Sequence, residues 1–170
     1  AVEILRKVGC SPDVIQHCLT VRDIALKIAK KLQARGLRVD IEKVELGALL
    51  HDIGRAKTHG VDHGVVGFQI LSAMGLPEFA KFAERHLGAG IPASEAKELG
   101  LPEKDYVPET LEEKIVVYAD KLAGGSKQIR FEDTLEEFKR KLGNDHPAIK
   151  RLLRLHEEMT SLLGISAKDL

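Results

Sequence analysis

Apolar residues recur at spacings of three and four through nearly every segment of this chain, and that period commits it to helices. Ser11-Pro12-Asp13 forms a helix start, a cap residue followed by proline where no backbone donor is missed. Val14, His17, Cys18, Val21, Ala25, Ile28 and Leu32 follow on one stripe, and Gly36 marks the stop. Asp40 is placed to cap a second helix with Val44, Leu46, Ala48, Leu49 and Leu50, apolar nearly all round and so expected in the interior. Positions 60–62 turn into a third helix, His63 to Met74, ended by Gly75. Pro77 starts a fourth, carrying Phe79, Phe82 and His86. Phe68, Leu71, Met74, Phe79 and Phe82 read as core.

From Gly88 to Thr110 the period breaks into glycine, proline and charge, with one short helix expected at Ser94–Leu99. A connection this long inside a compact domain is often a lid or pocket wall. Thr110-Leu111-Glu112-Glu113 has the form of a capping box and predicts a helix to about Ala123. Thr134-Leu135-Glu136-Glu137 repeats the signal, and Asp145 opens a last helix ending near Gly164. The four glutamates read as favourable charge at helix starts. Alternating strand patterns, internal repeats and linkers are absent. The expectation is one all-α domain over 1–170, a compact helical bundle with its motif-bearing part at about 11–125 and closing helices at about 131–164.

A chain of 170 residues buries roughly 68–70% of its unfolded surface, so no disulfide is needed to hold it. Cys10 and Cys18 make neither a disulfide framework nor a C-x-x-C site. Lys+Arg and Asp+Glu balance at 26 each, which argues against a general nucleic-acid binder and a stable nucleic-acid complex. No apolar run of about 18 residues and no signal-peptide pattern is present, so the expectation is a cytoplasmic chain with no membrane partner.

Chemistry enters through imidazole and carboxylate groups on apolar helix faces. Asp120 lies among Val116, Val117 and Ala123 at i−4, i−3 and i+3 and should point inward. A buried carboxylate without a partner is strongly unfavourable, and a metal ion or a cation is the usual remedy. His17 sits on the apolar stripe of the first long helix, and His51-Asp52 ends the most hydrophobic segment. His63 opens the third helix, and His86 follows Phe79 and Phe82. Each histidine alone reads as a satisfied core residue. Five inward faces bearing such groups, with an adjacent His-Asp pair, read better as ligands, and a nitrogen and oxygen donor set suits iron, manganese or zinc.

Leu49-Leu50-His51-Asp52-Ile53-Gly54 contains the His-Asp-Ile-Gly sequence of the HD-domain superfamily of metal-dependent phosphohydrolases, which this chain resembles. The wider order is similar too: a helical His17, the His51-Asp52 pair, and Asp120 within Tyr118-Ala119-Asp120-Lys121. The resemblance covers roughly residues 11–125, and Thr110 to Val116 before the Asp120 segment looks like small archaeal members. It implies an HD-type helical bundle in which His17, His51, Asp52 and Asp120 hold a first metal. His63, in His63-Gly64-Val65-Val66-Gly67, and His86 fall where two-metal members carry extra histidines. A dinuclear site bridged by Asp52 is therefore expected, with iron or manganese leading and zinc, magnesium, cobalt or nickel compatible.

Two cations about 3.5–4 Å apart lower the pKa of a shared water and clamp a phosphoryl oxygen, so a metal-activated hydroxide can attack phosphorus in line. Arg55, Lys57 and Lys121, close to the site along the chain, are candidate phosphate donors, although each also reads as a solvated cation. His59 is a candidate acid toward the leaving oxygen. Arg22 serves equally well as an ion-pair partner for a helix carboxylate. His146 and His156 read as solvent-facing, and Tyr106, Lys97 and Lys104 as unplaced substrate contacts. The expected activity is hydrolysis of a phosphomonoester or phosphodiester in a small nucleotide-like molecule. A di-iron oxygenase of the same superfamily and a non-catalytic nucleotide-binding module remain open alternatives, and a homodimer is compatible with the sequence.

Overall fold

The computed structural model describes residues 1–165; positions 166–170 of the expected domain lie outside the described residues. The order is α1 (Val2–Val8), α2 (Pro12–Ala34), α3 (Ile41–Leu50), a short 3-10 turn (Ile53–Ala56), α4 (His63–Ala73), α5 (Pro77–Glu84), α6 (Ala93–Glu98) and α7 (Leu111–Lys121). A two-residue ribbon, β1 (Ala123–Gly124) antiparallel to β2 (Lys127–Gln128), then leads into α8 (Phe131–Leu142) and α9 (Pro147–Leu163). The chain is thus all-α, as its period demands. Among the described residues no helix is long and apolar enough to cross a membrane.

Three of the side-chain caps read from the sequence form, at Ser11, Asp40 and Thr110, which accept from the amides of Val14, Lys43 and Glu113. Thr134 does not cap. Its helix starts earlier, at Phe131, because that ring is buried and draws the first turn into the core. The Thr134 hydroxyl instead donates to the Lys121 carbonyl. The last helix is capped by His146, whose Nδ1 accepts from the Ala148 amide at 3.0 Å, so Asp145 lies outside it. Helix α1 has no counterpart in the sequence reading; it is short and docks through Leu5, which is fully buried. Met74 is 44% exposed and is not core.

Two apolar cores flank α2 and α3. One gathers Val21, Ile28 and Leu32 of α2 with α3, α7 and α9; the other gathers Leu5, Val14, Cys18, Leu50, Ile53 and Leu71 with Ala80 and Ala83. At about 1.5–3 kcal/mol per fully buried aliphatic side chain, these clusters dominate the fold. His51 and Asp52 emerge at the end of α3, on the seam between them.

Glycines set how closely the neighbours approach this seam. A Cβ on Gly54 would sit 1.8 Å from the His63 carbonyl oxygen and 2.7 Å from the Gly67 amide. The first turn of α4 therefore lies directly on the backbone after Asp52. A Cβ on Gly64 would meet the Ala83 carbonyl oxygen at 2.9 Å, so the end of α5 is drawn equally close. His86 lies two residues beyond α5 rather than on it. The 88–110 connection is packed: Ile91 and Tyr106 exchange backbone hydrogen bonds at 2.9 and 2.8 Å, and Leu87, Ile91, Ala96, Leu101 and Tyr106 form a small core of their own.

Candidate metal centre

Five separate stretches of chain deliver six side chains to one place. His17 comes from α2, His51 caps α3, Asp52 precedes the 3-10 turn, His63 opens α4, His86 follows α5 and Asp120 lies near the end of α7. Asp120 Oδ1 is 2.9 Å from His17 Nε2 and 3.4 Å from His51 Nε2. Asp52 turns Oδ2 toward that group, 3.4 Å from His17 Nε2 and 3.9 Å from His51 Nε2. Its other oxygen, Oδ1, lies 3.0 Å from His86 Nε2 and 3.3 Å from His63 Nε2. One carboxylate thus stands between two half-sites. Donor atoms of His17, His51 and Asp120, and of His51, Asp52 and His86, are each grouped closely enough to hold an ion.

The protons identify what is missing from ordinary hydrogen bonding. The Nδ1 atoms of His51, His63 and His86 donate to the carbonyls of Ala48, Gly60 and Ala83 at 2.6, 2.8 and 2.6 Å. A carbonyl can only accept, so Nδ1 carries a proton in each ring, and in the neutral form Nε2 is the lone-pair nitrogen available to a metal. His63 Nε2 and His86 Nε2 nevertheless face each other at 3.0 Å. Two nitrogens about 2.1 Å from one ion and at a right angle would be about that far apart. His51 Nε2 and Asp52 Oδ1 are buried without any hydrogen-bond partner. Acceptors crowded against acceptors call for a cation, and the donor set fits a divalent metal.

The surroundings favour the charged form of both carboxyls. Burial pushes both carboxyls up, but His51, His63 and His86 around Asp52, and Lys121 and His17 beside Asp120, hold them well below the usual carboxylate range. Burial lowers His51, yet Asp52 and Asp120 outweigh it and leave that imidazole raised. Burial takes His86 down to about 4 against the pull of Asp52, so it is neutral at physiological pH.

The candidate cations divide. Arg55 Nε donates to Asp52 Oδ2 at 3.1 Å, and Arg55 lines a cavity of about 260 Å³ with Asp13, His17, Asp52 and His59. Lys121 is buried, with Nζ 2.8 Å from Asp120 Oδ2 and 3.3 Å from the His86 carbonyl oxygen. Lys57 is exposed and, among the described residues, makes no ion pair with the six. Arg22 pairs with Asp23 at 2.8 Å.

Several polar residues stand elsewhere than expected. Tyr106 is fully buried and donates to the Pro102 carbonyl, and Lys104 pairs with buried Glu84 at 2.8 Å, while Lys97 is exposed. His156 does not face solvent freely: its ring stacks on Phe131 at 3.8 Å and its Nδ1 meets the Tyr118 hydroxyl at 2.8 Å. His146, half-buried, is a helix cap. Glu113 is more than a charge at a helix start. It is buried, accepts from the Glu109 amide and binds Arg85 Nη1 through both oxygens, at 2.8 and 3.1 Å. The signal was available, because Glu113 lies seven residues before Asp120 and so on the same helix face.

Comparison with known proteins agrees with this geometry. The HD domain pattern matches residues 14–125. An uncharacterized protein of Methanocaldococcus jannaschii is 51% identical over 164 residues, 96% of each chain. A tRNA (cytidine(56)-2'-O)-methyltransferase of Thermoplasma volcanium is 40% identical over 164 residues, and there this chain spans 46% of the relative's length. A Ribonuclease Y of Thermosipho melanesiensis is 33% identical over 148 residues, covering 23% of its length. No solved structure gives a significant match. With the His-Asp pair, the distant aspartate and the converging histidines in place, the chain belongs to the HD domain family.

Proposed function

We propose that this protein is a metal-dependent phosphohydrolase that cleaves a phosphomonoester or phosphodiester bond of a small nucleotide-like substrate. The observation that carries the reading is the convergence of imidazole nitrogens and the Asp120 carboxylate around Asp52, with His51 Nε2 and Asp52 Oδ1 left without a hydrogen-bond partner. His17, His51 and Asp120 would hold one ion and His63 and His86 another, with Asp52 donating one oxygen to each. Iron and manganese are the leading metals; zinc, magnesium, cobalt and nickel suit the same donors. When bound, such ions supply Lewis acidity, lowering the pKa of a water and neutralising charge that develops on phosphoryl oxygens.

The chain's own residues do the rest. Arg55, anchored on Asp52 Oδ2 and lining the cavity beside His17, offers guanidinium donors to a phosphoryl oxygen. Lys57, two residues on, adds positive charge that draws in an anionic ligand. His59, on the same cavity wall, is the candidate proton donor to the leaving oxygen. The proposal places this activity in the cytoplasm, where such substrates are found, with a homodimer as a compatible assembly. A second reading, a phosphate ester in RNA, rests on the similarity of this chain to part of a ribonuclease and part of a tRNA methyltransferase.

The test is a panel of nucleoside monophosphates, cyclic nucleotides and RNA oligonucleotides with 3'-phosphate or cyclic ends, assayed with iron- or manganese-loaded protein. Phosphate release or ring opening on at least one member, reduced to background in D52A, is the expected result. An intact rate in D52A, or oxygen uptake without any phosphate chemistry, rejects the assignment.

A further inference from the structure

Lys121 stands out among the cations near the centre because it is only 7% exposed and both of its recorded partners belong to the centre. An ammonium this deep is strongly disfavoured unless its protons are bound. One is bound by Asp120 Oδ2 at 2.8 Å, and another reaches the His86 backbone carbonyl at 3.3 Å. The Lys121 carbonyl in turn accepts from buried Thr134, which ties this residue to α8. Resting on the metal-centre reading above, we propose that Lys121 is a positioning residue that sets Asp120 as a one-oxygen ligand and fixes the distance between the two half-sites, rather than a donor to the substrate phosphate.

The geometry supports both parts. Asp120 Oδ1 faces His17 Nε2 and His51 Nε2, while Oδ2 is turned away from them onto the ammonium. A carboxylate with one oxygen committed elsewhere can offer only the other, in a fixed direction. Without Lys121, Asp120 would be free to rotate or to chelate through both oxygens. The second contact crosses the centre. Asp120 belongs with His17 and His51, whereas His86 faces Asp52 Oδ1 and His63 on the far side. By gripping the one side chain and the backbone of the other residue, a single ammonium joins α7 to the segment after α5 where the two half-sites must keep register. Arg55 makes a contrast, being 31% exposed and lining the open cavity where substrate would enter.

The experiment compares wild type with K121M, which keeps an apolar stem of similar length and removes the ammonium. Metal-stripped proteins are titrated calorimetrically with Mn2+, Co2+ visible spectra are recorded, and kinetics are measured at saturating metal. The expected result is a loss of about 10–100-fold in Mn2+ affinity and an altered Co2+ spectrum. At saturating metal, kcat falls and KM stays within about twofold of wild type. Wild-type Mn2+ affinity with an unchanged Co2+ spectrum in K121M overturns the proposal, as does a KM raised by about tenfold with metal binding intact. If K121M does not melt cooperatively, K121Q carries the same comparison. A wild-type protein that binds no divalent ion would sink the metal-centre reading itself, which is a distinct result from metal-binding wild type with indifferent variants.

Discussion

Gly54 shows how much of the centre depends on a single absent methyl. G54A would place a carbon 1.8 Å from the His63 carbonyl oxygen, an overlap with backbone that no rotamer change relieves. It should cost about 3 kcal/mol or more, read as a lower chemical-denaturation midpoint, and should weaken metal binding because His63 is pushed from Asp52. At Asp52 itself, D52N keeps the size and removes the charge that both half-sites face. Elemental analysis after dialysis should find no retained ion in D52N and one, not two, in H63A, whose other half-site is untouched. Two retained ions in H63A would reject the shared-carboxylate arrangement. The inward direction of Asp120 was legible from Val116 and Val117 on its own helix. The buried pairing of Glu113 with Arg85 was not, because it requires knowing that α5 ends beside α7.

Helix existence followed the local period closely, whereas helix ends followed packing. Thr134 had the right neighbours for a cap, yet burial of Phe131 began that helix one turn earlier. The segment between α5 and α7 carries the expected short helix, but its packing could not be read from the sequence. Its glycines, prolines and charges suggest a lid or pocket wall; the Ile91–Tyr106 bridge and its own apolar cluster close it into a packed unit, and Gly90, Ile91 and Leu99 line a cavity. Arg151 of α9 fastens it from outside through both carboxylate oxygens of Glu95 and the Gly90 carbonyl. R151A should therefore destabilise the protein by about 1–3 kcal/mol, since charged hydrogen bonds are lost and a half-buried carboxylate is left unpaired. Thermal melts check this: at about 2–4 °C per kcal/mol for a chain this long, the midpoint should fall by several degrees. A midpoint within one degree of wild type would mean that the clasp contributes nothing.

Across the whole molecule, the centre joins elements from both apolar cores, so an ion bound there ties the two halves together. A ligand that binds only the folded state adds about 2.7 kcal/mol at a hundred times its dissociation constant. Chelator-treated protein should accordingly melt about 5–10 °C below protein in excess Mn2+. Identical melting curves would show that the cluster is not a metal site. The 3.0 Å approach of His63 Nε2 to His86 Nε2, with both Nδ1 atoms already donating to carbonyls, points the same way.

An all-α chain, three of its side-chain caps and the candidacy of six ligands were readable without coordinates, because helical period and capping act within a few residues and because a charge on an apolar stripe needs a partner wherever it lies. What those six side chains face was decided only by packing. His17 and Asp120 are separated by 103 positions and meet at 2.9 Å, a contact that no local rule contains. It arises because α2 packs against α7 and because glycines let α4 and α5 approach the end of α3. The role of Lys121 belongs to the same class. Its position beside Asp120 in the chain was plain, but whether its ammonium turned outward to solvent or inward to the His86 carbonyl was set by the helices that close over it.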